Sequence, residues 1–341
     1  MATINDVARL AGVSKGTVSS VFSKKRPISR EVTERVLEAA KNLGYFPNHV
    51  ARSLAIKKTM IAGLKMPVSR DSSMSGFEVQ MVNGVMKECS KQGYRVLLDT
   101  LPEHDDPTQF SSDPVDGVIM LNPRKHDKRI LRYSQMDIPL VLVGRPDPPD
   151  ESICYVDNNN TELSAQVGDY LLAKGHKDIL FLNAGSDMTV SLDRRRGLFE
   201  AFHRQSVATK RIHVLNYSRA EHRNPTEYGY MSLRRMHGNV PFTAVIADTD
   251  QVAVGVLRAV AELGIDIPGQ LSVIALSNDA TLSQVITPQL TSMELSAETL
   301  GAEAAKILIE KMEGAKGVHQ RIVDAKLVIR SSCAPNSAQN D

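Results

Sequence analysis

The chain has no tryptophan, and aromatic residues fill only 5% of its 341 positions. Cysteine is nearly as scarce: Cys89, Cys154 and Cys333 are odd in number and far apart. No disulfide framework or zinc-ligand spacing can be built from them, so a reducing compartment and no bound metal are expected. No run of about 18 apolar residues occurs, which excludes a spanning helix, and no membrane partner is expected. Met1 runs straight into a polar, helix-compatible segment instead of a basic-then-apolar leader, so the expected location is cytoplasmic.

Reactive constellations are also missing. Neither the dinucleotide-binding nor the phosphate-binding glycine loop is present. The pair Asp105-Asp106 falls in a loop, and His176, in Gly175-His176-Lys177, reads as a structural residue at the start of a strand. No catalytic residue or cofactor is assigned, and an enzyme is not expected.

What is present is ordinary in bulk: 42% hydrophobic and 23% charged residues, in a chain too long for one core. The charge is unevenly spread. Residues 1–58 hold eleven Lys/Arg against four acids, a net +7, leaving −5 for the rest of a chain whose total is +2. A small basic head on an acidic body points to a polyanion partner for the head, although a merely solvated charged face would look similar.

Thr3-Ile4-Asn5-Asp6 reads as a capping box opening a first helix with Val7, Leu10 and Ala11 as its buried stripe. Gly12-Val13-Ser14 breaks the pattern, and Ser14 can cap a second helix burying Val18, Val21 and Phe22. A third helix starts near Ser29, buries Val32, Val36, Leu37, Ala40 and Leu43, and stops at Gly44. Two short helices joined by a tight turn and braced by a third make a helix-turn-helix, whose second helix enters a major groove.

The run Thr3–Ser19 and the run Leu43–Leu54, with Tyr45, Pro47, Asn48, Ala51 and Arg52, resemble the amino-terminal signature of the LacI/GalR family of bacterial transcriptional regulators. The resemblance implies that Lys15, Gly16 and Ser20 face bases. Thr3, Ser14, Thr17, Ser19, Tyr45 and Asn48 would then hold phosphates, which set register without reading sequence. Gly16 is a departure: it offers no side chain to a base and weakens a helix by up to about 1 kcal/mol relative to alanine. Either Lys15 does most of the reading, or close backbone approach is useful there. Residues 49–56, with Ala51 and Leu54 at the DNA, correspond to the family's hinge helix. Leu54 matches the leucine that wedges into the minor groove and bends the duplex.

From residue 60 short apolar runs alternate with helical stretches. Strands are expected at 60–65, 95–98, 117–121, 140–144, 179–183, 244–247 and 272–276, and helices at 77–92, 162–174 and 251–263. This alternation predicts doubly wound parallel sheets, with ligand bound at their carboxyl ends. The expected fold is a small all-α head on an α/β body of two doubly wound subdomains, which the family resemblance makes type I periplasmic-binding-protein-like. The expected divisions are 1–46 for the head, 47–59 for hinge and linker, and 60–330 for the body. Within the body, 60–158 plus 290–318 form one half and 159–289 plus 319–330 the other, with 331–341 a disordered tail.

The resemblance continues through Asp116-Gly117, Asp157-Asn158 and Asp248–Gly255 and implies an effector sensor. Arg194, three residues before Gly197, matches the family's effector-clamping arginine; the run Arg194-Arg195-Arg196 is expected to open a helix. Phe77, Asn158, Thr249 and Asp250 fall at or near the cleft, although Asp250 could equally cap the helix that follows it. Ser277 stands where the family usually has an aspartate, and Asp279 is a candidate replacement. Residues 102–114 are proline- and acid-rich and shorter than the family's helix there.

The function implied is a repressor binding double-stranded operator DNA as a homodimer, controlled by a small-molecule effector, a sugar or sugar derivative. A protein co-regulator in place of a free sugar is the alternative. A solute-binding receptor of the same fold is the remote one, needing a secretion signal and no basic head. The apolar helix at 300–312 is left open between a dimer face and the core.

Overall fold

A computed structural model describes residues 2–23, 26–46, 58–66, 74–99, 114–277 and 280–336. The chain divides into two compact units, residues 1–60 and 61–341.

In the first unit α1 (Ile4–Ala11), α2 (Lys15–Ser23) and α3 (Arg30–Asn42) form around alanines and valines. The Thr3/Asp6 capping box opens α1, Gly12 closes it at φ +63°, and the Ser14 hydroxyl accepts the Thr17 N–H at 3.1 Å to start α2. Ser29 caps α3 in the same way. Val7, Ala8, Ala11, Val18, Val36, Ala39 and Ala40 are the buried core, ringed by Ile4, Val13, Val21, Phe22, Val32 and Tyr45. Leu10, Leu37 and Leu43, expected inside, are instead 56%, 48% and 36% exposed. At 3.6 residues per turn Ala8 and Ala11 fall to one side of Val7 and Leu10 to the other. Leu37 is one residue off the Val32/Val36/Ala40 line, and Leu43 is the C-cap of α3.

The second unit strings β1 (Ile61–Lys65), α4 (Gly76–Lys91), β2 (Arg95–Asp99), β3 (Gly117–Leu121), α5 (Lys128–Gln135), β4 (Leu140–Val143) and β5 (Cys154–Asp157) into one sheet and its cover. Its order, counting the later strand β11 (Gln320–Ile322), is β11-β5-β4-β3-β1-β2, all parallel. Next come α6 (Asn160–Ala173), β6 (Ile179–Asn183), α7 (Thr189–Arg204), β7 (Ile212–Asn216), α8 (Pro225–Met236), β8 (Ala244–Ala247), α9 (Asp250–Leu263), β9 (Ser272–Ala275), α10 (Ala280–Val285) and β10 (Thr291–Glu294). The chain ends with α11 (Ala297–Met312), β11 (Gln320–Ile322) and β12 (Lys326–Val328). The second sheet runs β12-β10-β9-β8-β6-β7, parallel except where β12 meets β10.

All seven expected strands are present to within a residue, and the body is the expected pair of doubly wound sheets. The expected halves need correction. Strand β10 pairs with β9, so 291–294 belongs to the second half, whereas β11 pairs with β5, so 320–322 belongs to the first. The chain therefore crosses near 158, near 295 and near 323. In α11, Leu300, Ala304, Ile307 and Leu308 are all buried, which places that helix in the core.

The tail also needs correction as far as Asn336. Ser332 is fully buried, its hydroxyl donating to the Val273 carbonyl at 2.6 Å and accepting the Thr291 N–H at 2.8 Å. Asn336 donates from its backbone to the Lys174 carbonyl at 2.8 Å. Small polar residues read as a linker by composition, but here they complete the backbone hydrogen bonding beside β9. Residues 337–341, like 101–113, lie outside the described residues.

All three crossings meet at Asn158. Its buried side-chain amide donates to the carbonyls of Leu295 at 3.1 Å and Val323 at 2.8 Å. Asn158→Ala leaves both carbonyls without that donor and should lower unfolding free energy by about 1–3 kcal/mol. Urea unfolding of the full chain measures this, and a change within error would mean that water replaces the amide.

Candidate functional site

On the head, Lys15, Gly16 and Ser19 of α2 are exposed, while Thr17 and Ser20 are half-buried. Lys15 has no hydrogen-bond or ion-pair partner among the described residues, so its ammonium is available to an outside acceptor. The Ser20 hydroxyl donates to the Gly16 carbonyl at 2.8 Å and keeps its acceptor lone pairs. Ser14 and Thr17 share a 2.9 Å hydroxyl bond at the start of α2. Thr3 is exposed beside Asp6, and Tyr45 packs on Phe22 with ring centroids 5.9 Å apart. Asn48, Ala51 and Leu54 lie outside the described residues. Gly12-Val13-Ser14-Lys15-Gly16 spells a nucleophile-elbow string, but it joins two helices and no strand leads into it, so it is a turn and not an elbow.

In the body the carboxyl ends of both sheets enclose a cavity of about 140 Å³, which adjoins a second of about 450 Å³. The first sheet contributes Asn122 after β3, Gly144 after β4, and Asp157 and Asn158 at β5; the second contributes Ala184, Asp248, Thr249 and Ser277. Of the residues expected here, Phe77, Asn158, Arg194, Thr249 and Ser277 all line the inner cavity. Asp250 does not. It is 1% exposed and is the first residue of α9 rather than its cap, its carboxylate accepting the N–H of the adjacent Gln251 at 2.9 Å. Thr249 is the N-cap of α9, accepting the Val252 N–H, and the Ser277 hydroxyl accepts the Asp250 N–H at 3.2 Å. Asp279 lies outside the described residues.

Arg194 does not open a helix; it sits in the second turn of α7, which begins at Thr189. Gly197 lets α7 approach α6 so closely that an added Cβ would lie 1.8 Å from the Thr161 carbonyl oxygen. The Arg194 side chain is thereby held across the cleft floor. Its Nε donates to Asn160 at 3.1 Å and its Nη2 to the Leu276 carbonyl at 3.4 Å. Nη1 donates to both the carboxylate and the carbonyl of Asp248, at 2.5 and 3.1 Å.

Asp157, Asn160 and Asp248 line the cavity but carried no role in the sequence reading. Asp157 and Asp248 stand in runs that carry the family resemblance, and Asn160 is two residues past Asn158. Burial pushes the Asp157 carboxyl up to about 7, reinforced by the nearby Asp193 charge and opposed by the Asn158 N–H and by Arg194.

Contacts among the described residues tie the two halves across the cleft. The Pro123 carbonyl accepts the Thr189 N–H at 3.2 Å, and the Lys125 N–H donates to the Asp187 carbonyl at 2.8 Å. Arg124 pairs with Asp187 at 3.2 Å, and Arg145 grips the buried Asp193 carboxylate with both sides of its fork. His176 is structural as expected, bonded at 2.9 Å to Thr243 and to the Ala334 carbonyl. No helix among the described residues is long and apolar enough to cross a membrane.

Residues 3–48 match the family of bacterial regulatory proteins, lacI family, and residues 168–333 match the periplasmic binding protein-like domain. The HTH-type transcriptional repressor PurR of Mannheimia succiniciproducens is 31% identical, over 97% of this chain and 98% of its own. The transcriptional regulator CelR, solved as a complex with cellobiose, is 25% identical with a TM-score of 0.71, over 97% of this chain and 100% of its own. The Lac repressor dimer bound to operator and the anti-inducer ONPF shares the fold at 22% identity and a TM-score of 0.80, covering 98% and 99% of the two chains.

Two predictions follow from this geometry. A Cβ at Gly16 meets nothing closer than the Ser14 hydroxyl at 3.7 Å, so Gly16→Ala should stabilise α2 by up to about 1 kcal/mol. Slower amide exchange across that helix is the readout, and unchanged exchange would contradict it. The raised Asp157 value means that the folded protein keeps a proton which the unfolded chain, at the ordinary 3.8, has released. Its contribution to stability is complete below 3.8 and is lost as pH rises through about 7. Asp157→Asn should therefore flatten part of the stability decline across that interval, and identical slopes would place the carboxylate in its ionised form throughout.

Proposed function

The chain belongs to the LacI family of bacterial regulatory proteins and is a DNA-binding transcriptional regulator, and we propose that it is a cytoplasmic repressor controlled by a small-molecule effector. A homodimer places two heads on a pseudo-palindromic operator, with half-sites about one helical turn apart, because two-fold protein symmetry demands two-fold DNA symmetry. The observation that carries this reading is a body cavity walled by both halves, in the same chain as an exposed, basic helix-turn-helix. A ligand in such a cavity touches groups that move relative to one another, so it can bias the angle between the halves.

On the DNA side, Lys15 donates to a guanine edge, with Gly16 and Ser20 beside it facing bases. Thr3, Ser14, Thr17, Ser19, Tyr45 and Asn48 hold the phosphate backbone. Ala51 and Leu54 act in the hinge, Leu54 as the minor-groove wedge. On the effector side, Asn158, Arg194, Thr249 and Ser277 surround the ligand's hydroxyls and Phe77 covers it; Asp250 shapes the start of α9 behind them. A sugar or sugar derivative suits these groups, and the cellobiose complex of CelR supports that class. Rotation of one half against the other changes whether the paired hinges order on DNA, with a coupling of about 1–3 kcal/mol.

Selection from a random duplex pool, with the purified full chain at stated salt and with or without a metabolite fraction, tests the reading. A palindromic consensus whose enrichment responds to the metabolite fraction supports it. No enrichment under either condition contradicts it, and enrichment only with a protein fraction would replace the small molecule by a co-regulator. On the selected site, Leu54→Ala should weaken binding and remove bending while leaving ligand-induced thermal shifts unchanged. Bending that survives the substitution would refute the wedge.

A further inference from the structure

Arginine in a ligand cleft is ordinarily an anion receptor, since its planar fork matches carboxylate and phosphate. Arg194 cannot act freely in that way here. The Asp248 carboxylate lies 2.5 Å from Nη1, and Asn160 and the Asp248 and Leu276 carbonyls take further N–H groups. A guanidinium has five N–H bonds, and the protein's own acceptors already occupy four. The charge that an anionic ligand would need is neutralised from inside.

The rest of the inner cavity points the same way. Among the described residues its charged lining is one cation, Arg194, against the carboxylates Glu78 and Asp248, with the buried Asp157 carboxyl pushed up to about 7. Glu78 accepts from the backbone and hydroxyl of Ser75. Asp157 accepts from the backbones of Asn158 and Arg145 and from the Asn160 amide, with no side-chain cation in ion-pairing range among the described residues. Arg145 is committed to Asp193. In the adjoining cavity Arg124 is paired with Asp187, and Arg219 lies exposed at the rim. An anion entering the inner cavity would lose its hydration and meet carboxylates in return. A ligand rich in O–H or N–H donors would meet acceptors.

We propose that Asp248 sets the charge specificity of the cleft: by holding Arg194 it makes the inner cavity a site for an uncharged or cationic, hydrogen-bond-donating ligand and shuts out sugar acids and sugar phosphates. This rests on the reading of the cavity as the effector site and narrows its ligand class. Asp248 is a specificity residue that acts on the ligand mainly through the arginine it neutralises.

The test compares the native full chain with Asp248→Asn and, should that variant fold poorly, Asp248→Ser. The probes are glucose and glucosamine against glucuronate and inorganic phosphate, followed by calorimetry and thermal shift at constant ionic strength. The native chain should take neither anion. Asp248→Asn should gain at least about tenfold in affinity for glucuronate or phosphate, about 1.4 kcal/mol, and Arg194→Gln in that background should remove the gain. Anion binding by the native chain as tight as its binding of the neutral or amino sugar would overturn the proposal. So would an Asp248 variant that folds and gains nothing, and if the native chain takes no probe the variant alone decides. Operator affinity is measured on the same proteins. A gain in anion binding that leaves DNA binding indifferent to the bound anion would uphold the role of Asp248 while refuting the effector reading.

Discussion

One side-chain amide holds together the three places where the chain passes between the halves of the body. Asn158 sits where the chain first passes from one sheet to the other, and it donates to backbone carbonyls at the second and third passages. Three extended segments would otherwise run between the halves with buried carbonyls lacking donors, and the cleft would have no common pivot. The adjoining bond from the Val323 N–H to the Asp157 carbonyl, at 2.8 Å, binds two of those segments directly. Because the pivot borders the cavity, a ligand bound there as proposed would act close to the axis about which the halves turn. Small changes there become larger displacements at the far ends of both sheets.

Two arginine–aspartate pairs supply the electrostatic counterpart. Arg145 and Asp193 join the halves across the cleft, while Arg194 and Asp248 lie within the second half and shape its floor. Buried pairs of this kind add little net stability over an apolar filling, because both charges lose their hydration. Their effect is on geometry, since breaking one leaves a buried charge exposed to a poor environment. The Arg145–Asp193 contact across the cleft is therefore weak in net terms and costly to break halfway. The neutralised Arg194 adds a constraint on chemistry: the cleft offers acceptors more readily than positive charge.

Much of this was legible in the sequence. The caps at Thr3, Ser14 and Ser29 and the apolar strands such as Ile179–Asn183 carry local signals, and each was found where its residues point. The misses share a physical cause. Leu10 and Leu37 are apolar residues whose exposure depends on which side of α1 and α3 the neighbouring helices occupy. Strands β11 and β12 are three residues long at sheet edges, too short for a periodic pattern. Their assignment to opposite sheets is a matter of pairing partners, which no local signal carries. At the site, Arg194 was recognisable by its spacing to Gly197. Its neutralisation by Asp248 was not, because the two residues are far apart in the chain, one on α7 and the other just after β8, and meet only in the folded body.

In the function proposed above, occupation of the cleft and grip on DNA are one linked equilibrium. Its most direct test is the dissociation constant for a selected operator duplex, at fixed salt, with the cleft empty and with it saturated by a ligand that stabilises the full chain. Linkage predicts a change of about 5- to 150-fold in one direction, with the duplex altering ligand affinity by the same factor. Equal operator affinity at both ends of the titration would contradict the account.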